Sequence, residues 1–272
     1  MRPKQRILTL LEGKIPDTVP IFPGVDGFHA PKILNLPAKE CLLDGMKMAD
    51  ALLECLRVYK YDGIIANIGP GKNPYKKLGC NVDLSSGDVP LFIDNFIKDK
   101  KDIEKIKKPD MFVENKLDPV KKILDEVGDT HFVIGNIRFP YEYGYIMRGS
   151  MNLMQDLYED PDFVFDLLDK TKIITKSIGD ALIKTGVHGL VIKDSVASST
   201  IISPEFYRKF ALPFEKEVIG HFKDKVPIIH HICTDSSPIL KDMAGAGADI
   251  LEIDYPVDLE WAKETVGDNV IL

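Results

Sequence analysis

The chain has 272 residues, 44% of them hydrophobic, with 42 acidic against 35 basic side chains and a net charge of -7. That is enough apolar material for a sizeable core, and no basic cluster interleaved with aromatics is present, which argues against nucleic acid as the main partner. Arginine, the side chain best shaped for bidentate grip on carboxylates and phosphates, accounts for only six of the basic residues, so a heavily anionic ligand is poorly served. No apolar run approaches the ~18 residues a membrane helix needs, and the start lacks a signal-peptide core, so a cytoplasmic protein with no membrane partner is expected. Cys41, Cys55, Cys80 and Cys233 form no C-x-x-C pair, which fits a reducing compartment, and three of the four are expected to be packing residues.

Taken in order, residues 6–13 read as a short amphipathic helix closed by glycine, and 19–22 as an apolar strand followed by a loop, 23–29, that carries His29. Apolar positions at helical spacing predict a helix over 37–61, and 63–68 a second strand ending near Asn67. The stretch 72–108 is the least regular, with small strands expected at 78–82 and 90–93 and a lysine-rich solvated helix face at 98–108. A helix is expected over 116–127 and a third strand over 131–137. After it comes Arg138-Phe139-Pro140-Tyr141-Glu142-Tyr143, an aromatic loop suited to walling a cleft. Asp160-Pro161 opens a long helix to residue 185, with aspartate as cap and proline in the first turn. The fourth strand, 189–194, ends on the Asp194 carboxylate, and Ser203-Pro204-Glu205 starts a helix towards 221 by the same capping logic. Strands at 227–233, 250–254 and 269–272, with helices at 238–246 and 259–266, complete the chain.

Strands alternating with helices at this interval indicate parallel β/α units, and short continuous apolar strands indicate burial on both faces. A doubly wound sheet and a closed barrel both fit, but no G-x-G-x-x-G follows the first strand. Polar residues sit instead at the ends of several strands, namely Asn67, Arg138, Asp194, His231 with Cys233, and Asp254, which is how a (β/α)8 TIM barrel builds a site at its C-terminal rim. A single α/β barrel domain over 1–272 is therefore expected. Seven strands are counted where a barrel needs eight, so the expectation is a TIM barrel truncated after the seventh strand, with its C-terminal end missing.

The main chemical signal is Pro227-Ile228-Ile229-His230-His231-Ile232-Cys233. Side chains alternate along a strand, so His231 and Cys233 point to one face while His230 and Ile232 point away. Glu252 and Asp254 repeat the design at the end of the next strand. An imidazole, a thiolate and a carboxylate are what zinc takes in a catalytic site that keeps one position open, which makes His231, Cys233 and Asp254 or Glu252 the candidate metal ligands. The bland alternative is a packed histidine beside a packed cysteine. Asp194 reads either as a site acid or as a cap of the loop after it. Asn67 and Arg138 join it as candidate catalytic or positioning groups, and His29 is a candidate ligand contact.

These pieces together resemble the uroporphyrinogen decarboxylase superfamily and, within it, the methylcobamide:coenzyme M methyltransferase branch. The similar pieces are Pro16-Asp17-Thr18-Val19-Pro20, residues 153–161, Asp194-Ser195-Val196-Ala197-Ser198, Ile202-Ser203-Pro204-Glu205-Phe206, Ala211-Leu212-Pro213-Phe214 and His231-Ile232-Cys233. Their order and spacing cover essentially the whole chain. The resemblance implies a TIM-barrel enzyme that binds zinc through His-x-Cys and a later cysteine, activates a small thiol such as coenzyme M, and takes a methyl group from a methylated corrinoid carried by a partner protein. His231 and Cys233 match the first two ligands, and the third is expected beyond Leu272. Asp254 occupies the place where related zinc methyltransferases put a carboxylate near the metal, with Glu252 as the alternative, and Thr234 stands where the family often has glycine. Tyr141 and Tyr143 are expected to face the corrinoid or its carrier. The cofactor-free decarboxylase branch fits less well, because its first loop supplies arginines and residues 24–29 have none. Asn67 also stands where its catalytic aspartate is expected, with Asp26 as a substitute. A non-catalytic relative that only binds a corrinoid partner is the third expectation, and association into a homo-oligomer stays open.

Overall fold

Most of the apolar runs become parallel strands. A computed structural model describes residues 1–24, 29–67, 81–83, 91–109 and 116–272. Its strands are β1 (Gly63–Ala66), β2 (Asn81–Asp83), β3 (Leu91–Asp94), β4 (Phe132–Arg138), β5 (Gly189–Lys193), β6 (Ile228–His231) and β7 (Ile250–Glu252). Among the described residues β2 and β3 form a small sheet of their own, and the other five form one sheet in the order β1-β4-β5-β6-β7. A doubly wound sheet reverses its order at a switch point; this one follows the chain without reversal, which is the winding of a barrel.

That ladder holds five strands among the described residues, not seven. The run 19–22 forms no strand: Pro20 has no N–H to give, and Ile21 is held by Asp62. The Ile21 N–H donates to the buried Asp62 carboxylate at 2.7 Å, and the Ile21 carbonyl accepts from the Asp62 N–H at 2.7 Å. At the other end, Ile271 makes one isolated parallel bridge to Ile250.

The chain packs as two compact units. The first comprises Met1–Ile93, Asp110–Asn136 and Ala181–Gly189. The helix expected over 37–61 is two helices, Ala38–Leu43 and Gly45–Tyr59, because the Asp44 carboxylate turns back to accept the N–H groups of Met46 and Lys47. The second helix buries Met48, Ala49, Ala51, Leu52, Cys55 and Leu56 on one face, which covers the Cys55 thiol as expected of a packing residue. In the same unit the His188 Nδ1 accepts the Val133 N–H at 2.9 Å, and burial, aided by the Lys4 charge, holds the ring's pKa down to about 4.

The second unit comprises Asp94–Pro109, Ile137–Asp180 and Leu190–Leu272. The expected aromatic loop after β4 is instead a helix, Pro140–Arg148, with proline at its first turn and Gly149, at φ 81°, ending it. Buried Thr171 and Thr175 of the long helix Pro161–Thr185 tie it to this corner by donating to the Pro140 and Arg138 carbonyls, each at 2.9 Å. The helix that Ser203 caps contains a π turn, Tyr207–Ala211, just before Pro213, whose missing N–H interrupts the regular ladder. The lysine-rich run is a 3-10 segment, Lys100–Lys105, with its lysines exposed. Among the described residues no helix is long and apolar enough to cross a membrane.

Candidate functional site

The strand register of the second unit assembles the site. Lys193 of β5 pairs with His231 of β6, and His231 pairs with Glu252 of β7. Paired residues of parallel strands project to the same face, so a cation, an imidazole and a carboxylate stand in a row at the strands' C-terminal ends. β6 stops at His231 and Cys233 lies in the loop beyond, yet the two side chains meet, with Nε2 3.1 Å from Sγ. The other ring nitrogen, Nδ1, lies 3.4 Å from Glu252 Oε2. Burial lowers the imidazole's proton affinity, with Glu252 opposing and the Lys193 charge assisting. The neutral ring is the form that binds a metal. Burial pushes the Cys233 thiol up, against the pull of the Ser195 hydroxyl.

The loop after Cys233 is held by its neighbours. Thr234 has φ 61°, an outlying conformation for a β-branched residue. Its N–H donates to Asp254 Oδ2 at 2.7 Å while Asp254 Oδ1 accepts from the Tyr255 N–H at 2.8 Å. Its hydroxyl joins those of Ser198 and Thr200, the latter at 2.9 Å. The glycine expected at this position has a reason: only glycine enters the left-handed region without cost.

Two expectations for the carboxylates change accordingly. Asp254 spends both oxygens on backbone amides, which also lowers its proton affinity, so it braces the loop. Glu252 backs the imidazole from the side away from Cys233. Among the described residues no group of three or more His, Cys, Asp or Glu side chains is arranged to hold a metal ion.

Asp194 is fully buried, and so are Glu215, His230 and Tyr207. Burial, then the charges of Glu215 and Glu142, raise the Asp194 carboxyl well above the usual range. The Tyr207 hydroxyl donates to Glu215 Oε2 at 2.5 Å, and His230 Nε2 lies 3.5 Å from the same oxygen with its ring edge-on to Phe139. This is a sealed acid cluster, in which the Asp194 carboxyl keeps its proton to higher pH than a free carboxyl does. Arg138 donates to Glu142 Oε1 at 2.6 Å, and Glu142 Oε2 accepts the Ser195 N–H at 2.8 Å, which anchors the loop after β5. Tyr141 is 0% exposed and Tyr143 5%, so the rings expected to wall a cleft are interior.

Asn67 and His29 belong to the first unit. The Asn67 side-chain oxygen accepts from the Asn136 amide at 3.0 Å, and His29 Nε2 lies 3.2 Å from the Tyr59 hydroxyl. Asp26 and Cys80 lie outside the described residues. Sequence reasoning passed over Lys193, Glu142, Glu215 and Tyr207. For Glu142 a signal existed, its i,i+4 spacing from Arg138; for Lys193 it was a charge at the end of an otherwise apolar strand.

The donor set can be tested against zinc on geometry. Bonds of about 2.1 Å to nitrogen and about 2.3 Å to sulfur at a tetrahedral angle separate the two atoms by about 3.6 Å. The observed 3.1 Å needs a small side-chain rotation, and a carboxylate of the kind that supports metal-bound histidines lies 3.4 Å from the ring's second nitrogen, near it but not hydrogen-bonded to it. His231 and Cys233 fit as two donors.

The uroporphyrinogen decarboxylase (URO-D) family model matches residues 2–272. The chain belongs to this family. It is 30% identical over 235 residues to a uroporphyrinogen decarboxylase of Prochlorococcus marinus (strain MIT 9515), covering 80% of this chain and 65% of that one. It is 27% identical over 201 residues to the methylcobamide:CoM methyltransferase MtbA of Methanosarcina mazei, covering 71% of this chain and 58% of that one. The chain thus spans less than two thirds of the length of these two URO-D relatives. A solved structure described as a methyltransferase from Methanosarcina mazei superposes with a TM-score of 0.83 at 20% identity, over 99% of this chain and 81% of that one, which shows a shared fold. Relatives on both branches are enzymes, and similar low identities to each leave the branch undivided.

Proposed function

We propose that the chain is a zinc-dependent methyltransferase that moves a methyl group from a methylated corrinoid, carried by a partner protein, to a small thiol. The observation that carries this reading is the 3.1 Å contact between His231 Nε2 and Cys233 Sγ beyond β6, with Glu252 behind the ring. The similarity to a methylcobamide:CoM methyltransferase supports it. His231 and Cys233 hold the metal, Glu252 orients the imidazole and keeps Nε2 turned to the sulfur, and Asp254 fixes the loop that presents Cys233. Arg138 and Glu142 hold the facing Ser195 loop. Zinc, when bound, lowers the pKa of a coordinated acceptor thiol from about 8.5 so that it is a thiolate near neutral pH.

The purified chain and Cys233→Ser are assayed together for zinc content and for methyl transfer from methylcobalamin to 2-mercaptoethanesulfonate. Zinc and transfer in the parent, both lost in the variant, is the expected result. Chelator-insensitive decarboxylation of a porphyrinogen by a zinc-free chain would assign it to the decarboxylase branch. An intact fold that binds a corrinoid protein without transfer to any thiol would make it a non-catalytic relative.

A further inference from the structure

The row Lys193–His231–Glu252 contains one cation that no described carboxylate pairs with. Glu252 lies 3.4 Å from the His231 ring, and Asp254 serves the amides of Thr234 and Tyr255. Glu142 serves Arg138 and the Ser195 amide. Asp194 and Glu215 are enclosed with Tyr207 and His230, the residue that points to the opposite face from His231. Among the described residues none of these carboxylates makes an ion pair or hydrogen bond with Lys193. The Lys193 ammonium, half-buried, has no hydrogen-bond or ion-pair partner among the described residues, while its charge acts on both His231 and Cys233.

A lysine held in register beside a reactive pair and left without a counter-ion is an incomplete ion pair. We infer that Lys193 is the specificity-determining residue that binds the acid group, carboxylate or sulfonate, of the small substrate reacting at His231 and Cys233. A single ammonium at the end of β5 suits one monovalent acid group and gives little hold on a ligand bearing many. The inference deepens the methyl-transfer reading by assigning a residue to the acid group of its thiol acceptor, and it rests on that reading for the identity of the reaction.

The test measures binding, not turnover. Propionate, ethanesulfonate and the neutral isostere propanamide are titrated calorimetrically into the full chain and into Lys193→Met and Lys193→Arg at low salt, with thermal unfolding as the folding control. The parent is expected to prefer both anions over propanamide. Lys193→Met should weaken the anions by about fivefold or more and leave propanamide unchanged, and Lys193→Arg should retain them. A smaller loss in Lys193→Met, or no preference for the anions in the parent, overturns the inference. If Lys193→Met itself unfolds, the parent's preference and the Lys193→Arg titration decide: lost preference in the folded arginine variant counts against a simple charge contact. Zinc content on the same samples separates the two ideas. A zinc-free parent with intact anion preference removes the methyl-transfer reading and leaves Lys193 as an anion site; zinc bound without anion preference does the reverse.

Discussion

The Thr234 amide and the Asp254 carboxylate are joined across the ends of β6 and β7 by a 2.7 Å hydrogen bond, and through it β7 fixes the conformation of the residue after Cys233. The second Asp254 oxygen, on the Tyr255 amide, makes the contact two-point. Asp254→Ala leaves both amides without their charged acceptor, and a loss of about 1–3 kcal/mol in urea unfolding is expected. Zinc affinity should fall by about tenfold or more, as it does when a residue supporting a ligand is removed. Unchanged stability together with unchanged metal affinity would show that the brace has no role.

Thr234 itself sets up a comparison of two substitutions. At φ 61° the branched side chain strains the backbone by about 1–2 kcal/mol, and its hydroxyl contacts with Ser198 and Thr200 offset part of that. Thr234→Val keeps the strain and loses the hydroxyl, whereas Thr234→Gly relieves the strain. The glycine variant is expected to be the more stable of the two by about 2 kcal/mol in equilibrium unfolding. Equal stability, or valine ahead of glycine, would contradict the left-handed conformation.

Asp194 gives a pH dependence whose sign follows from its burial. Its carboxyl, at 3.8 when free, is raised in the folded chain by burial and then by Glu215 and Glu142. Above pH 3.8 the folded state therefore holds more protons than the unfolded one, and this group's contribution to stability falls as pH rises. Asp194→Asn, which removes the titrating carboxyl, should flatten that fall and raise the melting temperature near pH 8. A variant that loses stability equally at pH 5 and pH 8 would mean the carboxyl is ionised in the fold.

The winding and the position of the His–Cys pair were legible in the sequence because both depend on local pattern. Short apolar runs separated by helical segments dictate parallel β/α units, and alternation predicts that His231 and Cys233 face one way, although β6 ends at His231 and it is the loop that brings the thiol to the ring. What was not legible depends on alignment between strands. Lys193 becomes part of the site only once β5 pairs in register with β6, and Asp194 and Glu215, 21 positions apart, meet only when the helix Leu212–Phe222 packs down. Tyr141 and Tyr143 were misread for a local reason: Pro140 starts a helix as readily as it breaks one, and that helix turns both rings inward.

His188 makes a second titration with the opposite slope. Its ring protonates at 6.5 when free and at about 4 in the fold. Between those values the unfolded chain binds more protons, so its contribution is complete above about pH 6.5 and lost as pH falls towards 4. His188→Gln should flatten the stability profile in that window, read by thermal unfolding at a series of pH values. An NMR titration placing the His188 midpoint near 6.5 would contradict the burial assigned to it.

The most direct measurement of the central claim is the absorption spectrum of the chain loaded with cobalt(II) as a spectroscopic substitute for zinc. If His231 and Cys233 share one ion, a thiolate-to-cobalt charge-transfer band appears in the near ultraviolet, disappears in Cys233→Ser and persists in Cys55→Ser. A spectrum without that band, or one unchanged by Cys233→Ser, would contradict metal binding at this pair.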